Sequence, residues 1–123
     1  MLRNYKDLKV WKKSYSLCLA IYQITGTFPN DEKYGLTSQA RRSAVSVPSN
    51  IAEGYGRRTT ADYVRMLYIA YGSLCELETQ ILLSGDLGYI SDIELHRLTT
   101  DISEVERMLK GLTRSLEEKQ STP

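Results

Sequence analysis

Apolar side chains recur at intervals of three and four positions through two long segments in the second half of this chain. They are Tyr63, Leu67, Ala70, Leu74, Leu77 and Ile81 in the first segment, and Leu95, Leu98, Ile102, Val105, Leu109, Leu112 and Leu116 in the second. These intervals place the side chains on one face of an α-helix, whereas a strand would alternate them. Each segment also begins with a capping pair, Thr59 with Asp62 and Ser91 with Glu94. The pattern predicts amphipathic helices over about 60–84 and 91–117.

The first half of the chain carries the same periodicity in a less regular form. The stripe of the first predicted helix is Leu8, Trp11, Tyr15, Cys18 and Tyr22, and that of the second is Leu36, Ala40, Ser43 or Ala44, Val47 and Ile51. Asp7 is a suitable cap for the first helix, and Asn30 or Asp31 for the second. We therefore predict helices over about 7–25 and 32–54, with both stripes facing the core.

Pro48 lies inside the second predicted helix. There it removes a backbone donor and crowds the carbonyl group of Ala44. Either one helix bends at Pro48 or two helices meet there. The apolar stripe keeps its phase across the proline, which favours one helix with a kink.

A chain of 123 residues has the usual size of a single domain. Short connections pack consecutive helices as antiparallel neighbours, so we predict an all-α fold, an antiparallel up-and-down four-helix bundle over residues 1–123. In this bundle Gly72 is expected to allow a close approach to Ala44 of the second helix. Cys18 and Cys75 are far apart in sequence and are expected to be buried free thiols.

The composition excludes several classes of protein. Hydrophobic residues make up 41% of the chain and charged residues 25%, as in ordinary globular proteins. No run of 18 apolar residues is present, so we expect no membrane span. The polar start of the chain does not resemble a secretion signal, and we therefore expect a cytoplasmic protein.

The net charge of +1 conceals an uneven distribution. Residues 1–65 contain eleven Lys or Arg against five Asp or Glu, which gives +6. Residues 66–123 contain five against ten, which gives −5. A basic half and an acidic half are consistent with binding of a polyanion, with contact between complementary copies of the chain, or with ion pairs inside the chain. The charges alone do not choose among these three.

The densest basic grouping consists of five arginines, which are Arg41, Arg42, Arg57, Arg58 and Arg65. Guanidinium groups bind phosphates through charge and forked donors, and Tyr5, Tyr55 and Tyr63 are available for stacking on bases. These arginines are therefore candidate nucleic-acid contacts. Under the alternative interpretation Arg41 or Arg42 pairs with Glu76, and Arg57 or Arg58 belongs only to a solvated turn.

A second stripe on the second predicted helix is entirely polar. It consists of Gln39, Arg42, Ser46, Asn50 and Glu53. The candidates for a hydrogen-bonded seam inside the bundle or between subunits are Gln39, Ser46, Asn50 and Glu53, with Glu76 and Gln80 of the third helix. A solvated helix face is the simpler alternative. Short Ser and Asn side chains are unusual on such a face, which favours the seam.

No arrangement in the sequence indicates catalysis. The only histidine, His96, has no Glu three residues before it, so the metal pair of carboxylate-bridged bundles is not predicted. One histidine without a nucleophile motif supports neither a Ser-His-Asp nor a Cys-His site. The glycines around Tyr55 are not followed by the Lys and Ser or Thr of a phosphate loop. We therefore predict no catalytic residues, no metal, no cofactor and no enzyme activity.

Several sequence blocks resemble those of one protein family. They are Asp7-Leu8-x-x-Trp11, Phe28-Pro29, Tyr34-Gly35-Leu36-x-x-Gln39-x-Arg41-Arg42, Ser46-x-Pro48-Ser49-Asn50-Ile51-Ala52-Glu53-Gly54 and Gly72-Ser73-Leu74-x-Glu76-Leu77-Glu78-Thr79. Together they resemble the bacterial four-helix bundle proteins encoded within intervening sequences of 23S ribosomal RNA genes. The resemblance covers nearly the whole chain.

The resemblance implies a homo-oligomer, a pentameric ring of bundles, of undetermined molecular function and with RNA or DNA as a candidate partner. The fold is also similar to the accessory variability protein of diversity-generating retroelements, a basic pentamer that binds a reverse transcriptase and nucleic acid. The net charge of +1 departs from that basic pattern. Two hypotheses follow: a nucleic-acid-associated oligomer, or a structural or adaptor oligomer that binds a protein partner such as a reverse transcriptase.

Overall fold

The computed structural model of the chain describes residues 2–121. These residues form four α-helices, α1 (Lys9–Thr25), α2 (Leu36–Tyr55), α3 (Thr60–Asp86) and α4 (Asp92–Ser121), and two short 3-10 helices, Tyr5–Asp7 and Asn30–Glu32. No strand occurs in this range. The predicted all-α four-helix bundle is confirmed.

The caps of α3 and α4 follow from the sequence. The Asp62 amide donates to Thr59 Oγ1 at 3.1 Å, and the Glu94 amide donates to Ser91 Oγ at 3.2 Å. Each hydroxyl satisfies one of the amides that a helix start leaves without a partner. Helix α4 continues to Ser121, beyond the predicted end near 117.

Two predicted helix starts are wrong. Asp7 belongs to the first 3-10 helix, where its Oδ2 accepts from the Arg3 amide at 2.8 Å, and α1 begins only at Lys9. Asn30 and Asp31 lie in the second 3-10 helix, and α2 begins at Leu36 rather than near 32. The Leu36 amide donates to Glu32 Oε1 at 3.1 Å, so a carboxylate four residues upstream supplies the capping interaction.

The core contains the predicted stripes of α2, α3 and α4, but of the predicted first stripe it contains only Leu8, with Trp11 and Cys18 packed against it. The buried residues of α1 are Val10, Ser14, Leu17, Ile21, Ile24 and Thr25. The predicted residues Tyr15 and Tyr22 are instead 48% and 43% exposed, and Trp11 and Cys18 are half-buried. The branched aliphatic side chains fill the interior because they carry no polar atom, whereas the tyrosine rings keep their hydroxyls near water.

The helices pack around the core in the order α1, α2, α3, α4 and back to α1. Within residues 2–121, α1 and α3 share no close contact, so they stand at opposite corners of the bundle. Gly54 lies against Met66, and Ser46, two turns earlier, lies against Ser73, two turns later. This register is the one that antiparallel α2 and α3 produce, and the antiparallel arrangement of the whole bundle stays a prediction. Helix α2 runs unbroken through Pro48, so the chain does not divide into two helices there; the bend stays a prediction.

The glycine at the α2–α3 contact is Gly54, not Gly72. A Cβ atom at Gly54 would lie 3.0 Å from Met66 Cβ and 3.0 Å from Tyr63 Cδ1, which is closer than packed carbon atoms approach. Gly72 is exposed, and a Cβ atom there would meet nothing within 4 Å. The predicted role of Gly72 in packing α3 against Ala44 is therefore wrong.

The two cysteines differ in their environments. Cys18 is half-buried in α1, and burial raises the pKa of its thiol. Cys75 is exposed on α3, so the prediction that both thiols are buried is wrong for Cys75. Both cysteines are free.

A search of the helices in residues 2–121 finds no segment with the length and apolar character that a membrane crossing requires.

Candidate functional site

Helices α2 and α3 enclose a groove of about 380 Å³ on the surface of the bundle, which we call the polar groove. It is lined by Gln39, Arg42, Ser43, Ser46, Ser73, Glu76 and Gln80. The lining has one cation, one carboxylate, two amides and three hydroxyls. This set of groups can donate and accept hydrogen bonds in several directions.

A small hydrogen-bond network joins the two helices beside the polar groove. The hydroxyls of Ser46 and Ser73 share a hydrogen bond of 2.7 Å. Asn50 Nδ2 donates to the Ser46 carbonyl at 2.8 Å and to Ser46 Oγ at 2.9 Å. Gln80 Oε1 is buried and has no partner among the described residues. A buried acceptor without a partner costs free energy, and a hydrogen bond from a donor outside the chain would offset this cost.

The polar groove collects four of the six predicted seam residues: Gln39, Ser46, Glu76 and Gln80. Asn50 adjoins them through Ser46, and Glu53 instead forms an ion pair with Arg57 one turn further along. The sequence interpretation missed Ser43 and Ser73. Ser73 is the residue after the exposed Gly72. A correct assignment of the α3 residues that face α2 would have placed Ser73 at the polar groove.

The five candidate arginines do not form one cluster. Arg41 Nε donates to Thr25 Oγ1 at 2.9 Å, and Arg41 Nη2 donates to the Tyr22 carbonyl at 3.2 Å. Arg57 pairs with Glu53, and Arg65 Nε lies 3.9 Å from an oxygen of Asp62. Arg42 and Arg58 take part in no ion pair within the described part of the chain. The Arg42 guanidinium shares the polar groove with Glu76 without pairing with it.

Arg41 fastens the end of α1 to α2, and its removal is expected to destabilise the fold. The variant Arg41→Ala loses two hydrogen bonds and the contact of the guanidinium with the Tyr22 ring, 4.7 Å from its centroid. We expect it to lower the free energy of unfolding by about 1–3 kcal/mol. Arg58→Ala, at an exposed position, is the control and is expected to change it by less than about 0.5 kcal/mol. Urea unfolding measures both, and equal effects would contradict the structural role of Arg41.

The exposed sides of α3 and α1 form two further surfaces. The α3 outer face consists of Arg65, Tyr68, Ile69, Gly72, Cys75, Glu76, Thr79, Leu82, Leu83 and Asp86, and the α1 outer face of Lys9, Lys12, Tyr15, Ser16, Leu19, Tyr22 and Gln23. Both faces mix apolar and charged side chains. The α3 outer face carries two carboxylates besides its paired arginine, and the α1 outer face carries two lysines and no acid.

Part of the basic half is neutralised by ion pairs between helices at the partly exposed surface of the bundle. Lys13 Nζ lies 3.2 Å from Asp101 Oδ1 and 3.3 Å from Glu104 Oε2, which joins α1 to α4. The hydrogen bonds to Asp101 and then Glu104 raise the pKa of Lys13. Lys9 and Lys12, on the neighbouring outer face, take part in no ion pair among the described residues. They are therefore the lysines of α1 that can meet an external anion.

A fourth surface, which we call the tyrosine groove, runs between α1 and the first half of α2 and has a volume of about 700 Å³. It is lined by Tyr22, Lys33, Tyr34, Thr37, Ser38, Arg41, Arg42, Val45 and Ser46. Tyr34 is 88% exposed. The lining contains three cations and no carboxylate. The sequence interpretation assigned Arg41 and Arg42 to a candidate site but assigned neither Lys33 nor Tyr34 to one.

All of these surfaces belong to an all-α four-helix bundle. Within residues 2–121, no three His, Cys, Asp or Glu side chains lie close enough together to hold a metal ion. A crystal structure of a protein of unknown function from the S23 ribosomal protein family of Bacteroides thetaiotaomicron VPI-5482 resembles this bundle with a TM-score of 0.80. The likeness covers 85% of this chain and 95% of that chain at 24% sequence identity, and it establishes the fold alone.

The sequence itself identifies the family. The family model of the 23S rRNA-intervening sequence protein matches residues 6–111, and the chain belongs to this family. A comparison with curated proteins finds no match.

Proposed function

We propose that this chain is a non-catalytic structural protein that assembles with copies of itself, with five copies as the number that the family resemblance implies. The α3 outer face of one copy docks on the α1 outer face of the next. The observation that carries the proposal is the α3 outer face, where a mid-helix glycine and four large apolar side chains are exposed. They are Tyr68, Ile69, Leu82 and Leu83, each between 43% and 54% exposed.

Gly72 has no packing role within a single chain. A glycine in the middle of a helix destabilises it by about 1 kcal/mol relative to alanine. Nothing in the chain lies within 4 Å of the position of its absent Cβ atom, so the space above this glycine is open. With Tyr68 and Ile69 exposed one turn earlier, this glycine fits a site where a second surface approaches the backbone closely.

The two outer faces complement each other in charge and in position. Glu76 and Asp86 give the α3 outer face its carboxylates, and Lys9 and Lys12 give the α1 outer face its cations. Because α1 and α3 stand at opposite corners of the bundle, each copy presents one face to each of two neighbours. Two different, complementary surfaces on opposite sides produce head-to-tail contacts, and such contacts close into a ring when the rotation allows.

The non-catalytic part of the proposal is supported by the surroundings of His96. This histidine is exposed on α4. Its ring forms no hydrogen bond with a carboxylate or a nucleophile among the described residues. A histidine that acts as a catalytic base is normally oriented by such a partner.

Exchange of charges between the two outer faces tests the head-to-tail contact. Lys9→Glu with Lys12→Glu makes both faces acidic, and Glu76→Lys with Asp86→Lys makes both basic. Either pair of substitutions is expected to raise the dissociation constant of the assembly by about tenfold or more at low salt, because like charges then meet. A chain with all four substitutions restores opposite charges and is expected to assemble again.

Light scattering over a range of protein concentrations measures these dissociation constants. The matched control is Arg97→Glu with Arg107→Glu, which makes the same change in charge at exposed positions of α4 and is expected to leave assembly unchanged. Unaltered assembly in both outer-face variants, or failure of the fourfold variant to recover, would contradict the proposed pairing of faces.

Association with nucleic acid is a second candidate function. It is favoured by the net charge of +6 over residues 1–65, which include α1, α2 and the start of α3, and by the genomic setting that the family resemblance implies. Such an association is expected to weaken steeply as salt rises, because phosphate contacts release counterions. A titration against structured RNA at several salt concentrations tests it, and affinity without a salt dependence would contradict it.

A further inference from the structure

Tyr34 is the most exposed large aromatic side chain of the described residues, and its position is unusual. It lies in the turn between the second 3-10 helix and α2, at one end of the tyrosine groove, and is 88% exposed. The Lys33 ammonium lies 5.5 Å from the centroid of its ring. An aromatic face next to a cation in open solvent contributes nothing to the core and is available to a ligand.

A second flat platform lies across the tyrosine groove. The Arg41 guanidinium packs over the Tyr22 ring at 4.7 Å from its centroid. Its two hydrogen bonds, to Thr25 Oγ1 and to the Tyr22 carbonyl, fix the orientation of the guanidinium plane. Planar groups held in this way stack on nucleobases at a low entropic cost, because little side-chain freedom is lost on binding.

The charges of the tyrosine groove suit a polyanion. Lys33, Arg41 and Arg42 line it together with no carboxylate. Glu32 is close in sequence but turns away, since its Oε1 accepts from the Leu36 amide and its Oε2 accepts from the Tyr89 hydroxyl at 2.9 Å. The polar groove, by contrast, carries Glu76 opposite its single arginine.

We propose that the tyrosine groove binds single-stranded nucleic acid. Bases stack on the Tyr34 ring and on the Arg41 guanidinium, and phosphates contact Lys33 and Arg42. Unpaired bases are required because a duplex hides the faces of its bases inside the helix. This inference rests on the second candidate function, since it names the site and the class of nucleic acid for that association.

The stacking residue is tested by fluorescence anisotropy with labelled ten-nucleotide RNAs of uridine and of adenosine. Tyr34→Ala is expected to lower the affinity about 5- to 100-fold, the range for loss of one base–aromatic stack. Tyr34→Phe retains the ring and is expected to bind within about twofold of the unsubstituted chain. Because Tyr34 is 88% exposed, neither substitution disturbs the core.

The phosphate contacts are tested by the salt dependence of the same binding. Lys33→Gln with Arg42→Gln is expected to reduce the slope of log affinity against log salt by about 1.4, since each lost contact to a single strand removes about 0.7. Arg58→Gln is the control. Arg58 is exposed beyond the far end of α2 and lies outside the tyrosine groove, so slope and affinity are expected to stay unchanged.

Different failures have different meanings. Loss of affinity in Arg58→Gln with none in Tyr34→Ala would overturn this site and leave nucleic-acid association standing. Binding to duplex RNA without binding to the single-stranded RNAs would also overturn this site and leave nucleic-acid association standing. The absence of binding to any RNA would overturn both. If Tyr34→Ala changes the mass of the assembly and leaves RNA affinity intact, the tyrosine groove contacts another copy of the chain and the inference is wrong.

Discussion

Replacement of Gly72 by glutamine is expected to leave the fold of the single chain intact and to prevent copies of the chain from assembling. A side chain at this position meets no atom of its own chain within 4 Å of Cβ. Glutamine also favours the helix over glycine by about 0.5–1 kcal/mol. The substitution is therefore compatible with α3. Its large effect falls on the contact between α3 and a second copy of the chain.

The physical reason is the loss of close contact between two surfaces. A glutamine side chain standing above the backbone of α3 holds the neighbouring α1 outer face away from Tyr68 and Ile69, the exposed side chains one turn earlier. Dispersion contacts weaken steeply over gaps of an ångström, so the apolar contacts around residue 72 are lost together. We expect light scattering to report the mass of one chain, 14.0 kDa, at concentrations where the unsubstituted chain is assembled.

Gly111 offers a matched control for this substitution. It is likewise exposed inside a helix, α4, and a Cβ atom there also meets nothing within 4 Å. Gly111→Gln is expected to fold and to assemble as the unsubstituted chain does. An assembled Gly72→Gln variant, or equal loss of assembly in the two variants, would show that the α3 outer face is not the specific contact.

The second large effect is expected from Leu77→Ala, which opens a cavity in the core. Leu77 is fully buried, and truncation of such a leucine typically lowers the free energy of unfolding by about 2–5 kcal/mol. Domains of this size are stable by only about 5–15 kcal/mol, so the change is a large fraction of the total. Urea unfolding in the Gly72→Gln background measures the effect on the single chain without a contribution from assembly.

Leu82→Ala is the matched control, because Leu82 lies on the same helix but is 47% exposed. In the Gly72→Gln background it is expected to change the free energy of unfolding by less than about 0.5 kcal/mol. In the chain that retains Gly72 it is expected to weaken assembly, since it removes an apolar contact from the α3 outer face. Equal destabilisation of the single chain by both leucine substitutions would contradict the assignment of Leu82 to the outside.

The second half of the fold was predictable because its signals agree with one another. The apolar stripes of α3 and α4 keep their intervals of three and four positions without interruption, and Thr59 and Ser91 mark the helix starts. In α1 two stripes compete, one of aliphatic residues that includes Ile21 and one that includes Trp11 and Tyr15. Both stripes have equally regular helical spacing, so periodicity does not tell which one is buried. The tyrosine hydroxyls favour contact with water, and the aliphatic stripe is therefore the buried one.

The candidate sites depend on tertiary contacts that spacing alone does not determine. Gly72 was assigned to the inside because the register between α2 and α3 was inferred from the turn, and a small rotation of α3 moves it outside. Arg41 and Arg42 are adjacent in sequence, but one is fixed to Thr25 and Tyr22 and the other is free in the polar groove. Tyr34 carries no periodic signal because it lies in a turn.

The central claim is that the chain assembles with copies of itself, and the mass of the unsubstituted protein in solution tests it most directly. Light scattering at micromolar concentration is expected to give a multiple of 14.0 kDa, with about 70 kDa for five copies. A mass of 14.0 kDa over the whole concentration range would contradict the claim.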